Sequence, residues 1–201
     1  MTTDEDLDAK HVKMSARIFN SAKRMEKLVS DLLDLTRTRL GSEIPLVRHS
    51  VDLALVCTQA VEEIRAFFPD RTVDFRQDGD LKGEWDGDRL AQVMSNLLGN
   101  AVQHGSASKP IEVTARPHGE GVIIRVHNFG PVIKADQIPK IFDPLVRYGN
   151  SNSPPTNLGL GLFIVKAVVE AHGGSIDVKS SEREGTLFTV KLPLRATQLP
   201  T

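Results

Sequence analysis

The sequence predicts an α+β fold, a two-layer α/β sandwich in which helices cover one face of a mixed sheet, with a long helix at the N-terminus. Two observations predict it. Apolar residues recur at helical spacing in four segments. Short runs rich in β-branched residues, typical of strands, lie between the later helices. The resulting order of helix, helix, strands, helix, strands, loop, helix and strands places helices against a sheet.

The first predicted helix spans 6–40. Its apolar side chains fall at steps near three, four and seven, and they are Met14, Ile18, Met25, Leu28, Val29, Leu32, Leu33 and Leu35. Gly41 follows where a C-cap is expected. Because one helix cannot bury a narrow apolar seam by itself, we expect a bundle or coiled-coil contact. The seam packs on the rest of the chain, pairs with a second copy in a homodimer, or frays.

The remaining elements alternate after a connector at 41–50. Predicted helices occupy 52–68, 86–104 with Asp86 as N-cap, and 159–171, which Gly173-Gly174 ends. Predicted strands occupy 72–76, 81–85, 111–116, 122–126, 175–179 and 186–192. The segment 147–157 is rich in Asn, Ser, Pro and Gly and is predicted to be a mobile loop.

The composition excludes several classes of function. A formal net charge of −1 leaves no basic excess for nucleic acid or a membrane surface. The single cysteine, Cys57, excludes an intramolecular disulfide. The chain has no apolar run typical of a signal peptide or a membrane-spanning helix. We expect a cytoplasmic segment without nucleic-acid or membrane contact, although a membrane anchor in a longer parent protein is compatible with this.

The first candidate site is the segment NLLGNAVQHG at 96–105. Asn96 and Asn100 are four residues apart, so both carboxamides project from one face of a helix. A carboxamide oxygen suits Mg²⁺, which keeps water and nucleotide phosphates in its other positions. An ordinary helix with two surface amides is the alternative for this segment alone.

The second candidate is HNFGPVI at 127–133, directly after a predicted strand. Gly130 allows the backbone to approach a flat ligand, and Ile133 supplies an apolar wall. Asn128 can accept a hydrogen bond from an exocyclic amine such as that of adenine. Taken by itself, the segment favours the simpler interpretation of a strand followed by a turn.

Two further segments lie on either side of the predicted loop. IFDPLVR offers Phe142 as an apolar anchor and Arg147 as a guanidinium for a terminal phosphate. LGLGLFIVKAVVEAHGG begins at Leu158 and places Gly159 and Gly161 at a helix start, where unpaired N–H groups favour phosphate. The same two glycines are also compatible with a simple hinge.

Together these segments resemble the histidine-kinase branch of the superfamily that also contains DNA gyrase, the heat-shock chaperone ATPases and the mismatch-repair ATPases. NLLGNA is similar to the N box, HNFGPVI to the first glycine box, IFDPLVR to the F box and LGLGL to the second glycine box. GTLFTVKLP is similar to the closing strand motif. The similarity covers about 28–194, with the five motifs in the family's order and spacing.

The resemblance implies ATP and Mg²⁺ as cofactors, with Asn100 as the metal ligand. Asn96, Asn100 and Arg147 are then the catalytic candidates. The residues expected to bind nucleotide are Asn96, Asn100, Gln103 and His104 on the phosphate side, Asn128, Gly130, Ile133 and Thr186 around the adenine, and Phe142, Leu158, Gly159, Leu160, Gly161 and Leu162 at the lid and its hinge.

The chain departs from the family pattern at several of these positions. Asn128 stands where the family usually has Asp, which removes the charge from the expected bond to adenine. Val132 replaces the second glycine of the first glycine box, and Gln103 replaces a common basic residue. We therefore expect a modest affinity for nucleotide.

The resemblance also favours a kinase over a hydrolase. The ATPase branches carry a glutamate as general base for water four residues before the metal-binding asparagine, and that position is Asn96 here. A site that activates water poorly suits phosphoryl transfer to another nucleophile, in which positioning and electrostatics provide most of the catalysis.

The long first helix fits this interpretation. Residues 24–41 resemble the second helix of the dimerisation and phosphotransfer hairpin, whereas the phosphoacceptor motif of the first hairpin helix has no counterpart in the sequence. His11 lacks the acidic neighbour and the proline of that motif. We expect a histidine supplied by another helix of the parent protein or in trans, relay to a response regulator receiver domain, and no autophosphorylation of this chain alone. A fragment of a longer sensor kinase is favoured over a natural short protein.

The expected organisation is a partial phosphotransfer helix and connector at 1–45, an ATP-binding catalytic domain at 46–196 and a tail at 197–201. Two other functions are compatible with the same fold. One is a serine kinase or binding module of the anti-sigma-factor kind, and the other is a nucleotide-binding pseudokinase scaffold.

Overall fold

The computed structural model describes residues 4–146 and 158–195. The helices in this part of the chain are α1 (Asp4–Arg39), α2 (Leu53–Phe67), α3 (Gly87–His104) and α4 (Gly161–Ala171). The strands are β1 (His49–Asp52), β2 (Val73–Gln77), β3 (Lys82–Trp85), β4 (Ile111–His118), β5 (Gly121–Asn128), β6 (Ser175–Ser181) and β7 (Gly185–Pro193). A short 3₁₀ turn spans Ile138–Lys140.

Five strands form the main sheet in the order β2-β4-β5-β7-β6. β2 and β4 run parallel and the other neighbours are antiparallel, so the sheet is mixed, as the sequence predicts. β1 and β3 form a separate antiparallel pair. The sequence did not predict β1, because a four-residue strand inside a connector carries too little periodicity to be recognised without its distant partner.

The core lies between one face of this sheet and the helices α2, α3 and α4. Along β4 the residues Ile111, Val113 and Ala115 are buried, whereas Glu112 between them is exposed. This alternation shows that only one face of the sheet is covered. The two-layer α/β sandwich predicted from the sequence is therefore confirmed.

A network of hydrogen bonds around the buried residues Asp86 and His172 joins the connector to α3 and α4. The Asp86 carboxylate caps α3 by accepting from the Arg89 N–H at 3.0 Å and also accepts from the Val47 N–H at 2.8 Å. The Asp86 N–H donates to His172 Nε2 at 3.1 Å, and His172 Nδ1 bonds to the Val168 carbonyl at 2.8 Å. The predicted N-cap at Asp86 is thus confirmed, with a second role in fixing the end of α4.

The C-terminal part of α1 packs on the sandwich through its polar face. Asp31 and Asp34 are buried there together with Leu35. The apolar seam mostly faces away, since its exposed members are Met14, Ile18, Met25, Val29, Leu32 and Leu33. Packing on the rest of the chain therefore involves Asp31, Asp34 and Leu35 more than the other residues of the seam. None of the helices in the described ranges is long and apolar enough to cross a membrane.

Candidate functional site

Helix α3 carries four of the polar residues predicted for the candidate site. Asn96 and Asn100 occupy the same face of its second half, and Asn96 is 9% exposed while Asn100 is half-buried. Gln103 and His104 lie exposed in the last turn. Partial desolvation lowers the pKa of His104. The helical arrangement that the sequence predicts for these four polar residues is confirmed, whereas their roles stay predictions.

The far end of α3 lies against the ends of two central strands. Asn128, the last residue of β5, is paired in register with Thr186 of β7, and each is 4% exposed. A Cβ atom at Gly105, the C-cap of α3, would lie 3.4 Å from the Cβ of Asn128. The structure thus brings Asn128 and Thr186 together beside the end of α3.

Gly130 is needed by this packing. A Cβ atom at Gly130 would lie 2.2 Å from the His104 carbonyl oxygen, which is far inside van der Waals contact. Gly185 has a φ of +71°, and a Cβ atom there would lie 2.4 Å from the Asn128 carbonyl oxygen. Both glycines therefore let backbone segments approach each other, in addition to any approach of a ligand.

A serine outside the predicted site residues, Ser180, fixes the turn after β5. The Ile133 N–H donates to Ser180 Oγ at 3.0 Å, and Ser180 Oγ lies 2.8 Å from Thr186 Oγ1. Ile133 is half-buried and packs against the core. Ser180 thereby links the turn to the strand that carries Thr186. Ser180 is one of several polar residues in β6, so no sequence pattern distinguishes it from its neighbours.

The start of α4 lies next to Asn96. Gly159 has a φ of +71°, which favours glycine, and its carbonyl accepts from the Leu145 N–H at 3.0 Å. Leu160, the buried N-cap of α4, makes no side-chain cap bond. A Cβ atom at Gly161 would lie only 3.5 Å from Asn96 Oδ1. The first turn of α4 therefore lies directly beside the side-chain amide of Asn96.

Lys27 of α1 reaches the same place. Its Nζ donates to Asn96 Oδ1 at 2.6 Å, and it also lies 3.6 Å from Asp31. Asn96 Nδ2 is buried and has no hydrogen-bond partner within the described ranges. Burial raises the pKa of the Asp31 carboxyl, and the Lys27 charge opposes that rise. Lys27 is not among the site residues predicted from the sequence.

Two further polar contacts align α1 with α3. Arg89 donates two hydrogen bonds to the Asp34 carboxylate, at 2.6 and 3.1 Å. Gln92 Nε2 donates to Asp31 at 3.2 Å. Together with the contact between Lys27 and Asn96, these contacts form three pairs. Residue numbers increase along α1 as they decrease along α3, so the two helices run antiparallel. The reversed spacing of 27, 31 and 34 against 96, 92 and 89 is the sequence signal that identifies them in retrospect.

The other predicted residues lie apart or outside the described ranges. Phe142 is half-buried and lines a cavity of about 470 Å³ with Phe163 of α4 and with Thr38 and Ile44 near the end of α1. Leu158 is exposed and Leu162 half-buried at the start of α4. Arg147 and the rest of the predicted loop 147–157 lie outside the described residues, as does the tail 197–201.

The arrangement can hold an extended ligand with one anionic end. One end offers the Lys27 ammonium, the unpartnered Asn96 amide and the uncapped start of α4, all of which are hydrogen-bond donors that favour negative charge. The other end offers the amide of Asn128 and the hydroxyl of Thr186 beside the half-buried Ile133. The amide oxygen of Asn100 lies on α3 between the two ends and suits a hard cation.

Comparison with known proteins gives a consistent result. A family model described as histidine kinase-, DNA gyrase B- and HSP90-like ATPase matches residues 85–196. The sensor histidine kinase ZraS of Escherichia coli is 36% identical over 180 residues, which is 88% of this chain and 37% of that protein. The bacteriophytochrome of Pseudomonas aeruginosa is 33% identical over 94% of this chain and 26% of its own length. The sensor protein VanS of Enterococcus faecium is 32% identical over 94% of this chain and 48% of its own length.

The chain thus spans less than half the length of each of these relatives. Among solved structures, the catalytic domain of the histidine kinase ThkA has a TM-score of 0.66 at 25% identity and covers 76% of this chain and 98% of that one. Full-length ShkA in complex with AMPPNP has a TM-score of 0.73 at 25% identity and covers 100% of this chain and 41% of that one. The similarity to ShkA includes the segment that forms α1.

Proposed function

This chain belongs to the histidine kinase-, DNA gyrase B- and HSP90-like ATPase family, and on that premise we propose that it is the Mg-ATP-binding catalytic core of a sensor histidine kinase. In this role it transfers the γ-phosphoryl group of ATP to a histidine on a helix outside these 201 residues. The resemblance drawn from the five motifs is confirmed by the family match and by relatives that are named sensor histidine kinases.

The observation that carries the proposal is the buried Asn96 amide beside the start of α4. Its Nδ2 donor has no partner within the described ranges, and an unsatisfied buried donor of this kind costs about 1–3 kcal/mol. The neighbouring N-cap, Leu160, offers no side-chain acceptor to the first N–H groups of α4. A phosphate oxygen would satisfy both sets of donors, which supports a nucleotide phosphate at this position.

Different residues are proposed to bind the metal ion, the phosphates and the adenine. We expect the Asn100 oxygen to hold Mg²⁺, and Asn96 with Gly161 and Leu160 to bind phosphate. Asn128 accepts from the exocyclic amine of adenine, and Thr186, Ile133 and the turn at Gly130 complete that pocket. Mg-ATP supplies the phosphoryl group and the charge neutralisation. Gln103, His104, Phe142, Leu158, Gly159, Leu162 and Arg147 remain proposed contacts of the nucleotide or its lid.

Asn96 favours transfer to a histidine over hydrolysis. A carboxamide cannot accept a proton from water as a carboxylate does, and the described contacts of Asn96 are with Lys27 and the start of α4. Water activation is therefore weak, and the site acts by orienting the phosphoryl group. The relatives are sensor kinases and give no support to a function of the anti-sigma kind or to a scaffold.

The partners follow from the same proposal. A phosphoacceptor-histidine helix, from the parent protein or in trans, receives the phosphoryl group, and a response regulator receiver domain receives it next. The exposed seam of α1 suits a homodimer of the parent protein. In the proposed organisation, 1–45 forms a partial phosphotransfer helix and connector, 46–196 the catalytic domain and 197–201 a tail.

The test is a calorimetric titration of the chain with a non-hydrolysable ATP analogue, with and without Mg²⁺. We expect binding that requires Mg²⁺ and that Asn100→Ala abolishes. Ser95→Ala, an exposed substitution on the same helix, is the matched control and should bind as the unchanged chain does. Absence of binding at millimolar nucleotide would reject the proposal. Transfer is tested by adding a hairpin that carries the histidine and detecting acid-labile phosphate on it.

A further inference from the structure

Lys27 stands out among the residues near the candidate site because it comes from α1, outside the part of the chain that the family model matches. Its ammonium lies 2.6 Å from Asn96 Oδ1, and its side chain is 42% exposed. The amine can therefore reach a ligand in the site without disturbing the core.

We propose that Lys27 is a ligand of the nucleotide phosphates, supplied to the catalytic domain by the docked α1 helix. The inference rests on the proposed nucleotide-binding function and adds a residue to it. The phosphoryl-binding end of the site is then complete only when α1 lies on α3.

The immediate surroundings of the ammonium suit an anion. Asn96 Nδ2 is a second donor at the same spot, and it is buried without a partner in the described ranges. The start of α4 lies beside Asn96, as shown by the 3.5 Å between a Cβ at Gly161 and Asn96 Oδ1. Three donors of different origin thus converge, and the helix dipole of the eleven-residue α4 adds to them.

The contacts between α1 and α3 hold the lysine in register. The ion pair of Arg89 with Asp34 is bidentate, and the side chains are 19% and 3% exposed. Gln92 binds Asp31 one turn closer to the site. Bidentate geometry restricts both the rotation and the sliding of one helix on the other. These contacts therefore hold Lys27 at a fixed position along α3, opposite Asn96.

Charge also favours this role. Asp31 and Asp34 each have a polar or cationic partner other than Lys27, namely Gln92 and Arg89. Lys27 can therefore turn its charge to a phosphate while the two carboxylates keep a partner.

The experiment compares Lys27→Met, which keeps most of the stem but removes the charge, with Lys27→Arg, which keeps the charge. Both are titrated with the ATP analogue and, separately, with adenosine. Lys82→Met, at an exposed position of strand β3, is the matched control for loss of one lysine. Thermal unfolding of each variant shows whether the fold is retained.

We expect Lys27→Met to raise the Kd for the ATP analogue about tenfold, which is typical for loss of a charge-assisted hydrogen bond. Lys27→Arg should stay within about threefold, and the Kd for adenosine should not change because adenosine has no phosphate. Lys27→Met should also weaken the dependence of the Kd on salt concentration.

Three results would overturn the inference. An unchanged Kd for the ATP analogue in Lys27→Met would mean that the lysine does not touch phosphate. Tighter binding would mean that the lysine obstructs the site. An equal loss for adenosine would mean that it acts through the structure of α1. Because the unchanged chain and Asn100→Ala are measured alongside, failure of the whole nucleotide site is distinguished from failure of Lys27 alone.

Discussion

Arg89 of α3 and Asp34 of α1 form a bidentate ion pair with distances of 2.6 and 3.1 Å, and the aspartate is 3% exposed. Arg89 also follows Asp86, the residue that caps α3 and bonds to the connector. The pair therefore links the N-terminal helix to the first turn of α3. It stabilises docking of α1 only as long as both partners are present.

We predict that Arg89→Met releases α1 from α3. The substitution leaves the buried Asp34 carboxylate without its cation, and such a change costs roughly 1–3 kcal/mol for a partly exposed pair. Hydrogen exchange of the amides in 27–38 should become faster. The strands β4, β5 and β7 should keep their protection.

Arg116→Met, at an exposed position of β4, is the control for loss of one arginine. If the exchange of α1 amides is the same in Arg89→Met as in this control, the ion pair does not hold the helix. The further change Asp34→Leu in the Arg89→Met background should recover part of the protection, because it removes the unpaired charge.

Stability should fall as the pH drops through about 6.5. His172 is 1% exposed, and burial lowers its pKa below the ordinary value of about 6.5 that applies in the unfolded chain. Between the folded and the unfolded pKa, the unfolded chain binds more protons, so acid favours unfolding. Protonation also removes the acceptor at Nε2 for the Asp86 N–H.

Urea unfolding at pH 7.5 and at pH 5.5 measures this effect. The free energy of unfolding should be lower at pH 5.5, and His172→Gln should reduce the difference between the two pH values. The lowered pKa of His104 acts in the same direction and accounts for a remaining difference. Equal pH dependence in the variant and the unchanged chain would contradict the role assigned to His172.

Gly130→Ala should damage both the fold and nucleotide binding. Its Cβ would lie 2.2 Å from the His104 carbonyl oxygen, so the turn must move away from α3. Overpacking of this kind costs about 1–3 kcal/mol. Gly99→Ala, on α3, is the control, because a Cβ there meets nothing within 4 Å. It should stabilise the helix by up to about 1 kcal/mol. Similar thermal midpoints for the two variants would refute the packing argument.

Asn128→Asp should tighten binding of adenine nucleotides and destabilise the chain without ligand. A carboxylate accepts a stronger hydrogen bond from the exocyclic amine, and the gain of about 1 kcal/mol corresponds to roughly fivefold in Kd. The side chain at this position is 4% exposed, so a carboxylate there would be desolvated when no ligand is bound, which lowers the free energy of unfolding.

Inosine triphosphate separates the two effects, since it lacks the exocyclic amine. The gain in affinity should be confined to the adenine nucleotide. If Asn128→Asp improves binding of both nucleotides alike, the residue does not contact the amine.

Local sequence patterns predict the sandwich, the elements of its main sheet and the polar residues of α3. These follow from local rules: apolar periodicity identifies α2 and α3, and Asp86 is recognisable as a cap from its place before an apolar helix. The spacing of Asn96 and Asn100 fixes their common face, because a helix places residues four apart on one side.

The long-range contacts of these elements could not be predicted without the folded structure. The pairing of β1 with β3, the bond from Ile133 to Ser180 and the approach of Lys27 to Asn96 join residues that are distant in the chain. The carboxylates of α1 are buried while much of its apolar seam is exposed, a reversal of the usual preference. Periodicity records which face of a helix is apolar, but a buried ion pair depends on a partner from another element, and that partner is fixed only when the chain has folded.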